Sequence, residues 1–288
     1  MSSDKPRGQT FGASRAAVQS HYDVSTDFYR LWLDSSMTYS CALWRGAKSL
    51  ERAQQRKLDF HVGQACAAGR DRVLDVGCGW GSLLRRLVVK HRVKEAVGLT
   101  LSQSQADYVH ELKLTGARAL LESWTEHQPS LPYDAIISIG AMEHFVRPEM
   151  SRTERVGAYR EFFRSCHLWL KPNSWMSLQT IAYGIGHFSH GAISSIFPES
   201  DLPRATEIIE ASEGFFEVVS IQNDRMDYAR TCREWLSRLV AGFEDAQKLV
   251  GDQTVRHFRA FLDAAARGFE ARVFLLLRIR LQRITRLP

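Results

Sequence analysis

Apolar positions along this chain recur at helical spacing over its first part and then change to short runs separated by amphipathic stretches. Helical periodicity starts near Val18, recurs through Phe28, Leu31 and Trp32, and returns from Leu50 to Cys66. The runs at 72–76, 95–99, 117–121 and 133–139 predict strands, and stretches between them such as 82–90 and 103–114 predict helices. Near-continuous apolar runs of this length suit strands covered on both faces, so the alternation reads as an α/β chain with a mostly parallel sheet and crossover helices. Further strands are predicted at 174–181, 216–221 and 273–281. In the last of these Val273, Leu275, Leu277, Ile279 and Leu281 alternate, while Leu277, Leu281 and Ile284 also fit a helical period. A helix is predicted over 230–262, with Trp235, Leu239, Phe243 and Ala246 on one face.

The rhythm breaks at 183–213, where Gly184, Gly186, Gly191, Pro198 and Pro203 cluster. That stretch reads as an insertion over the sheet edge. The expected organisation is a mobile N-terminus (1–17), an N-terminal helical cap (18–70), the central α/β core (71–182), a cap insertion over the substrate site (183–213), and the rest of the core with inserted helices (214–288).

With 288 residues, 44% of them hydrophobic and 24% charged, the composition is that of a globular protein with one elaborated domain. No apolar run reaches the length of a membrane span and the start is polar, so a cytoplasmic location is expected. Five cysteines, odd in number and without a C-x-x-C pair, predict free thiols and no metal site. The net charge of +6 is concentrated late in the chain, where Arg267, Arg272, Arg278, Arg280, Arg283 and Arg286 accompany one acid, Glu270. A solvated basic element is one reading; peripheral contact with an anionic membrane surface, or an anionic substrate, is the other. Nucleic acid is not expected, because no aromatic-basic interleaving accompanies the charge.

The densest chemical signal is residues 73–81, Val-Leu-Asp-Val-Gly-Cys-Gly-Trp-Gly. A strand runs into Gly77, Gly79 and Gly81, which remove the Cβ atoms that would hold a ligand off the turn, and a helix expected from Ser82 offers unpaired N–H groups beyond it. The D-x-G-x-G-x-G spacing, with Asp75 before the first glycine, differs from the dinucleotide G-x-G-x-x-G and from the phosphate loop. It resembles the S-adenosylmethionine signature of class I methyltransferases. A second segment, Gly98-Leu-Thr-Leu-Ser-Gln-Ser-Gln105, has Thr100 where many nucleotide folds place an acid for the ribose, and Gln105 one turn further on to supply the two bonds instead. Ser123 and Trp124 follow the third strand where an adenine needs an apolar face and a polar edge, with ordinary core packing the other reading of Trp124.

Three further segments extend the resemblance: His21-Tyr-Asp-Val with Phe28-Tyr-Arg-Leu-Trp-Leu-Asp34, Thr38-Tyr-Ser-Cys-Ala42, and Ile137-Ser-Ile-Gly-Ala-Met-Glu-His-Phe145. Together with the two segments above they resemble the cyclopropane fatty acid synthase family, which includes mycolic acid cyclopropane synthases and plant alkaloid N-methyltransferases. The resemblance runs from about residue 20 to 182 and resumes at Ile196-Phe-Pro-Glu and Asp227-Tyr-Ala-Arg-Thr231. It implies a class I methyltransferase (Rossmann-like) fold with helices on both faces of the sheet, a fold whose closing hairpin favours a strand at 273–281. It also implies S-adenosylmethionine as cofactor, held by Tyr39, Ser40, Gly77, Gly79, Thr100, Leu101, Gln105, Ser123, Trp124 and Ile139, with Asp75 at the turn.

In the family a bicarbonate ion beside the transferred methyl acts as base, held by a Cys, a Glu, a His, a Tyr and main-chain groups. Cys41, Glu143 and Tyr228 match three of these. Gln179-Thr-Ile stands where the family reads H-T-I, so that position is neutral and takes no proton, although an amide still hydrogen-bonds an anion. Glu143, alone or through carbonate, is the expected base, with His144 supporting it; a helix start after the fourth strand is the plainer reading of that pair. Tyr183, His187, Phe188 and His190 replace what resembles the long-acyl channel of the lipid enzymes. Phe145, Tyr183, Phe188, Phe197 and Tyr228 are candidates to stabilise a cationic intermediate, and Tyr183, Phe188 and Phe197 to line the substrate site. The expected activity is methyl transfer to an alkene or electron-rich carbon of a lipophilic small molecule or acyl chain. N-methylation of a small-molecule amine is the alternative, and a cofactor-binding relic serving as a partner subunit is a third reading.

Overall fold

The computed structural model describes residues 12–185 and 199–285. His187, Phe188, His190 and Phe197 of the expected insertion, and the first eleven residues of the expected mobile N-terminus, lie outside the described residues.

Seven strands form one sheet: β1 (Arg72–Val76), β2 (Glu95–Thr100), β3 (Ala117–Leu121), β4 (Tyr133–Ile139), β5 (Leu170–Tyr183), β6 (Phe216–Asn223) and β7 (Phe274–Arg283). Their order is β3-β2-β1-β4-β5-β7-β6. The first five are parallel, and β7 runs antiparallel between β5 and β6. Residues 274–283 are thus a strand, the alternative that the apolar alternation supports. β5 starts four residues before the expected 174 because its first part is irregular. Between the pairs Tyr133↔Leu170 and Ala135↔Trp175 the register shifts, and Asn173 has φ +58. The extra residues bulge out, and the alternation legible in the sequence resumes only beyond them.

Alternate strand residues feed two different layers. Leu74 and Ile136 pack with Phe162 and Phe163 of α6 (Arg152–Trp169) and with Ile208 and Ala211 of α7 (Ala205–Ser212). Val73, Ala135 and Ile137 pack with Leu58 and Val62 of α3 (Leu50–Gln64) and with Leu83 and Leu84 of α4 (Ser82–Val89). The described part of the expected cap therefore divides, with Ala205–Ser212 built into the core and Ser200 and Leu202 left near the strand ends. A third apolar cluster joins Phe28, Tyr29 and Trp32 to Trp235, Leu239, Phe258 and Phe269 from the helices inserted between β6 and β7.

Two expected helices are broken, each at an identifiable residue. The periodicity from Val18 to Trp32 is α1 (Arg15–Tyr22) and α2 (Thr26–Arg30), because the Ser25 side chain accepts the Phe28 N–H and starts a new helix. The stretch 230–262 is α8 (Arg225–Ala241), α9 (Phe243–Val250) and the first part of α10 (Asp252–Glu270). Gly242 separates the first pair, and Gly251, with φ +82, the second. The remaining helix of the core, α5 (Gln103–Glu111), follows β2. Among the described residues no helix is long and apolar enough to cross a membrane.

Three of the late arginines are held within the fold, while Arg267 and Arg272 are exposed. Arg278 is 2% exposed and paired with Asp224. Arg280 stacks on Trp175 at 3.9 Å and donates to the Gln64 carbonyl, while Arg283 donates to the His167 carbonyl at 2.8 Å.

Candidate functional site

A cavity of ≈ 140 Å³ opens at the C-terminal ends of β1, β2 and β4. All eleven residues expected to hold the cofactor line it: Tyr39, Ser40, Asp75, Gly77, Gly79, Thr100, Leu101, Gln105, Ser123, Trp124 and Ile139. The glycines of the turn serve different ends. A Cβ on Gly77 would lie 2.6 Å from the Ala141 Cβ, and one on Gly81 would lie 2.7 Å from Val109 Cγ2, so these two permit close packing. Of the three, only at Gly79 would a side chain meet nothing within 4 Å, although Gly77 also lines the cavity. Gly140, with φ +70 and equally open surroundings, is a second cavity glycine and was not expected.

Trp124 meets both readings offered for it. Its ring packs on Phe145 and Phe162 at 5.2 and 5.4 Å and also faces the cavity. Gln105 Oε1 already accepts from the Thr100 hydroxyl at 2.7 Å, so one of the two acceptor positions expected of it is filled and its NH₂ is free to donate. The Tyr39 hydroxyl and Trp80 Nε1, both in the wall, are buried without a partner. Buried polar atoms in that state are costly unless something binds there.

A second cavity of ≈ 130 Å³ shares Tyr22, Tyr39, Ser40, Gly140 and His144 with the first. The rest of its wall is mostly apolar, including Ile181, Leu202, Trp235, Phe261, Phe269 and Phe274, with Glu143, Gln179, Ser200 and Tyr228 as polar members. Glu143 lies in a 3₁₀ turn, Met142–His144, directly after β4. Its Oε1 accepts the Ile181 N–H at 2.6 Å, its Oε2 is buried without a well-formed hydrogen bond, and the nearby Thr180 hydroxyl also favours the carboxylate. Burial pushes this carboxyl up to about 7.

Gln179 presents its amide in one orientation. Its Oε1 accepts from Arg278 Nε at 2.9 Å and from His61 Nε2 at 3.2 Å. Since a carbonyl only accepts, His61 carries its proton on Nε2 and its Nδ1 accepts from the Ser177 hydroxyl, at 2.8 Å. The Gln179 NH₂ is what remains for the cavity. Tyr228 lines the same wall, its ring stacked on Phe269 at 4.6 Å.

Several expected roles change. His144 does not support Glu143: its Nδ1 is hydrogen-bonded to Ser200 Oγ at 2.8 Å and its Nε2 pairs with the Tyr22 hydroxyl at 3.4 Å. The Cys41 thiol lines neither cavity. It is fully buried, donates to the Ala42 carbonyl, and has Arg278 Nη2 at 3.6 Å; burial pushes it up to about 12. Tyr183 lines neither cavity either, because its hydroxyl donates to Asp201 at 2.5 Å. Phe145 borders the first cavity and not the second. Phe188 and Phe197 are outside the described residues. Sequence reasoning passed over Tyr22, Lys57, Gly140 and Trp235 as site residues. Tyr22 lay in a quoted motif and Trp235 on a noted helix face, so position alone marked both.

The family described as mycolic acid cyclopropane synthetase matches residues 11–279. Cyclopropane mycolic acid synthase 3 of Mycobacterium tuberculosis is 33% identical over 274 residues, 88% of this chain and 91% of that protein. Cyclopropane mycolic acid synthase 1 of the same organism is 35% identical over 276 residues, 88% of this chain and 92% of that protein. The solved structure of mycolic acid cyclopropane synthase CmaA1 complexed with SAH and CTAB aligns with a TM-score of 0.84 at 32% identity, covering 94% of this chain and 99% of that one.

Proposed function

The chain belongs to the mycolic acid cyclopropane synthetase family of S-adenosylmethionine-dependent methyltransferases, and from that premise we propose that it methylates carbon of a lipophilic small molecule or acyl chain, with Glu143 as base. The observation that carries this reading is the buried Oε2 of Glu143, without a well-formed hydrogen bond, in the wall of an otherwise apolar cavity that shares five residues with the glycine-turn cavity. The likeness to a synthase solved with SAH and the lipid mimic CTAB supports it independently.

S-adenosylmethionine, when bound, supplies a methyl group on a positively charged sulfur. Tyr39, Ser40, Gly79, Gln105 and Trp124 would hold it in the first cavity. The partnerless Tyr39 hydroxyl and the open space at Gly79 fit such an occupant. A carbon that gains the methyl becomes cationic, and Tyr228, Trp235 and Phe269 offer ring faces worth roughly 0.5–2 kcal/mol each. Glu143 Oε2 then takes the proton that the cation must lose. N-methylation is not favoured, since the relatives at 33% and 35% identity are cyclopropane synthases.

Bicarbonate as the base is a second reading, favoured by one observation: the Gln179 carbonyl is occupied from behind, which leaves its amide N–H groups as anion donors. Tyr228 would be the other donor, and the Cys41 thiol would not contribute.

The test is incubation of the purified protein with methyl-labelled S-adenosylmethionine and a panel of unsaturated acyl chains, prenyl compounds and amines, read by mass spectrometry. Label in carbon of an acyl or other lipophilic product is expected; label confined to amine nitrogen overturns the reading.

A further inference from the structure

The first cavity has a charged end, where Asp75, one of the expected residues, is joined by a lysine that was not expected. Lys57, on α3, lines it and is 1% exposed; Asp75, at the end of β1, lines it and is 2% exposed. The other carboxylate of the wall, Glu122, is partly exposed and already paired with His127. Lys57 and Asp75 are therefore the buried charges of this wall, and both are under-bonded. The Lys57 ammonium donates once, to Ser40 Oγ at 2.9 Å, and its other two N–H groups have no acceptor among the described residues. The Asp75 carboxylate has no hydrogen bond to any described residue. Buried charges of opposite sign that act on each other through space but keep unused bonding capacity are costly unless something with matching charges completes them.

Position says what that is. Trp124 belongs to the apolar layer on the α6 side of the sheet, while Leu58, next to Lys57, belongs to the layer on the α3–α4 side. The cavity wall thus takes in both layers at the strand ends, Trp124 from one and Lys57 from beside the other, with the open Gly79 also in it. A ligand with a flat heteroaromatic base at one end and a zwitterionic amino acid at the other matches this polarity.

Resting on the S-adenosylmethionine reading above, we propose that Lys57 recognises the α-carboxylate of the cofactor, with Asp75 facing its ammonium. The surroundings suit this role. Asp34, Cys41, Asp75, Arg278 and His61 act on or are acted on by Lys57, and Asp34 is already held by the Thr38 N–H, the Ser36 N–H and the Ser36 hydroxyl. Burial pushes Lys57 down to about 8 and Asp75 up to about 7, the state of two charges awaiting partners.

Titration calorimetry with S-adenosylhomocysteine, its decarboxylated analogue and 5′-methylthioadenosine tests this. The wild-type protein should bind the decarboxylated analogue about 10- to 100-fold more weakly than S-adenosylhomocysteine, the usual effect of a hydrogen-bonded charge. Lys57→Met should weaken S-adenosylhomocysteine by a similar factor and leave the other two within about twofold, since they lack the carboxylate. Equal wild-type affinity for the compounds with and without the carboxylate, a comparison that needs no variant, overturns the proposal. So does a Lys57→Met protein that binds all three more weakly by the same factor, the signature of a structural role through Ser40. If the wild type binds none of the three, the cofactor reading itself fails; if it binds methylthioadenosine without discriminating the carboxylate, only the assignment of Lys57 fails.

Discussion

Replacing Glu143 by glutamine separates the chemistry of this residue from its packing. The substitution keeps size and shape, and an amide oxygen can still accept the Ile181 N–H that Oε1 accepts at 2.6 Å. What is lost is the second oxygen, buried and without a well-formed hydrogen bond, which is the atom able to take a proton in the second cavity. No neighbour replaces it. His144 is engaged with Ser200 and Tyr22 and held down to about 4 by burial, Gln179 is an amide, and the buried Tyr228 phenol is pushed well up. Turnover should therefore fall toward the upper end of the about 10²–10⁴-fold range for losing a general base. Affinity for S-adenosylhomocysteine should barely change, because Glu143 does not line the first cavity. Label transfer under cofactor saturation, with calorimetry alongside, measures both. A variant with near wild-type turnover refutes the assignment, and one that loses cofactor binding moves Glu143 to the other cavity.

The same residue predicts a pH dependence of stability. Its carboxyl titrates at about 7 in the folded chain against an ordinary 4.5, so between these values the folded state holds the proton more tightly than the unfolded one. Stability on this account is highest below 4.5 and falls as pH rises through about 7. The difference of 7 − 4.5 = 2.5 units is worth roughly 3–4 kcal/mol at about 1.4 kcal/mol per unit. Glu143→Gln should thus be more stable than wild type at pH 8 by up to about that amount, with the gain vanishing toward pH 4.5. Denaturant titrations at the two pH values check this, and a variant destabilised equally at both would show that the carboxylate is not buried unpaired.

Three further outcomes are expected. Gly79→Val should lose S-adenosylhomocysteine binding by at least about 100-fold, since its side chain would fill the open space at that glycine; wild-type affinity in a folded variant, by calorimetry, would remove the ligand from this turn. If Glu143 acts directly, turnover in degassed, bicarbonate-free buffer should match that in ordinary buffer, and a fall restored by added bicarbonate would transfer the base role to the ion. Gln179→His should destabilise the fold by about 1–3 kcal/mol, because Arg278 Nε and His61 Nε2 both donate to one carbonyl and an imidazole offers a single acceptor; an unchanged denaturation midpoint would show that the two donors find other partners.

Legibility in this sequence follows where the determinants lie along the chain. The strand runs at 72–76, 117–121 and 133–139 match β1, β3 and β4 because nothing interrupts them, whereas Asn173 and the bulge in β5 hide four residues of a longer strand. The predicted helix over 230–262 overlooked Gly242 and Gly251, whose effect on the chain direction outweighs an apolar face that continues past them. The first cavity was readable because its wall comes from short contiguous segments at strand ends. Of the second, only polar members such as Glu143, Gln179 and Tyr228 were readable; its apolar wall, drawn from β5, α8, α10 and β7, was not, since Trp235 or Phe269 facing a cavity looks the same in sequence as one facing a core.

Lys57 and Arg278 show what composition hides. A late arginine cluster reads as solvated, yet the alternation that makes β7 a strand also fixes which arginines turn inward, and Arg278 pairs opposite Gln179 in the β5–β7 register. Facing inward, it meets Asp224, the Gln179 carbonyl and the Ala42 carbonyl, so its charge is neutralised inside the fold. On α3 the buried stripe is Leu50, Ala53, Gln54, Lys57, Leu58, His61 and Val62, the i, i+3, i+4 pattern of a core-facing side. The donors of the other polar members of that stripe are taken up within the fold, for the Gln54 NH₂ holds the Thr38 and Ser40 carbonyls, and His61 bridges Ser177 and Gln179. A lysine in such a stripe cannot be a solvated charge. It must be neutralised by the fold or completed by a ligand, and unlike Arg278, whose donors find an acid and two carbonyls, Lys57 has only one hydroxyl.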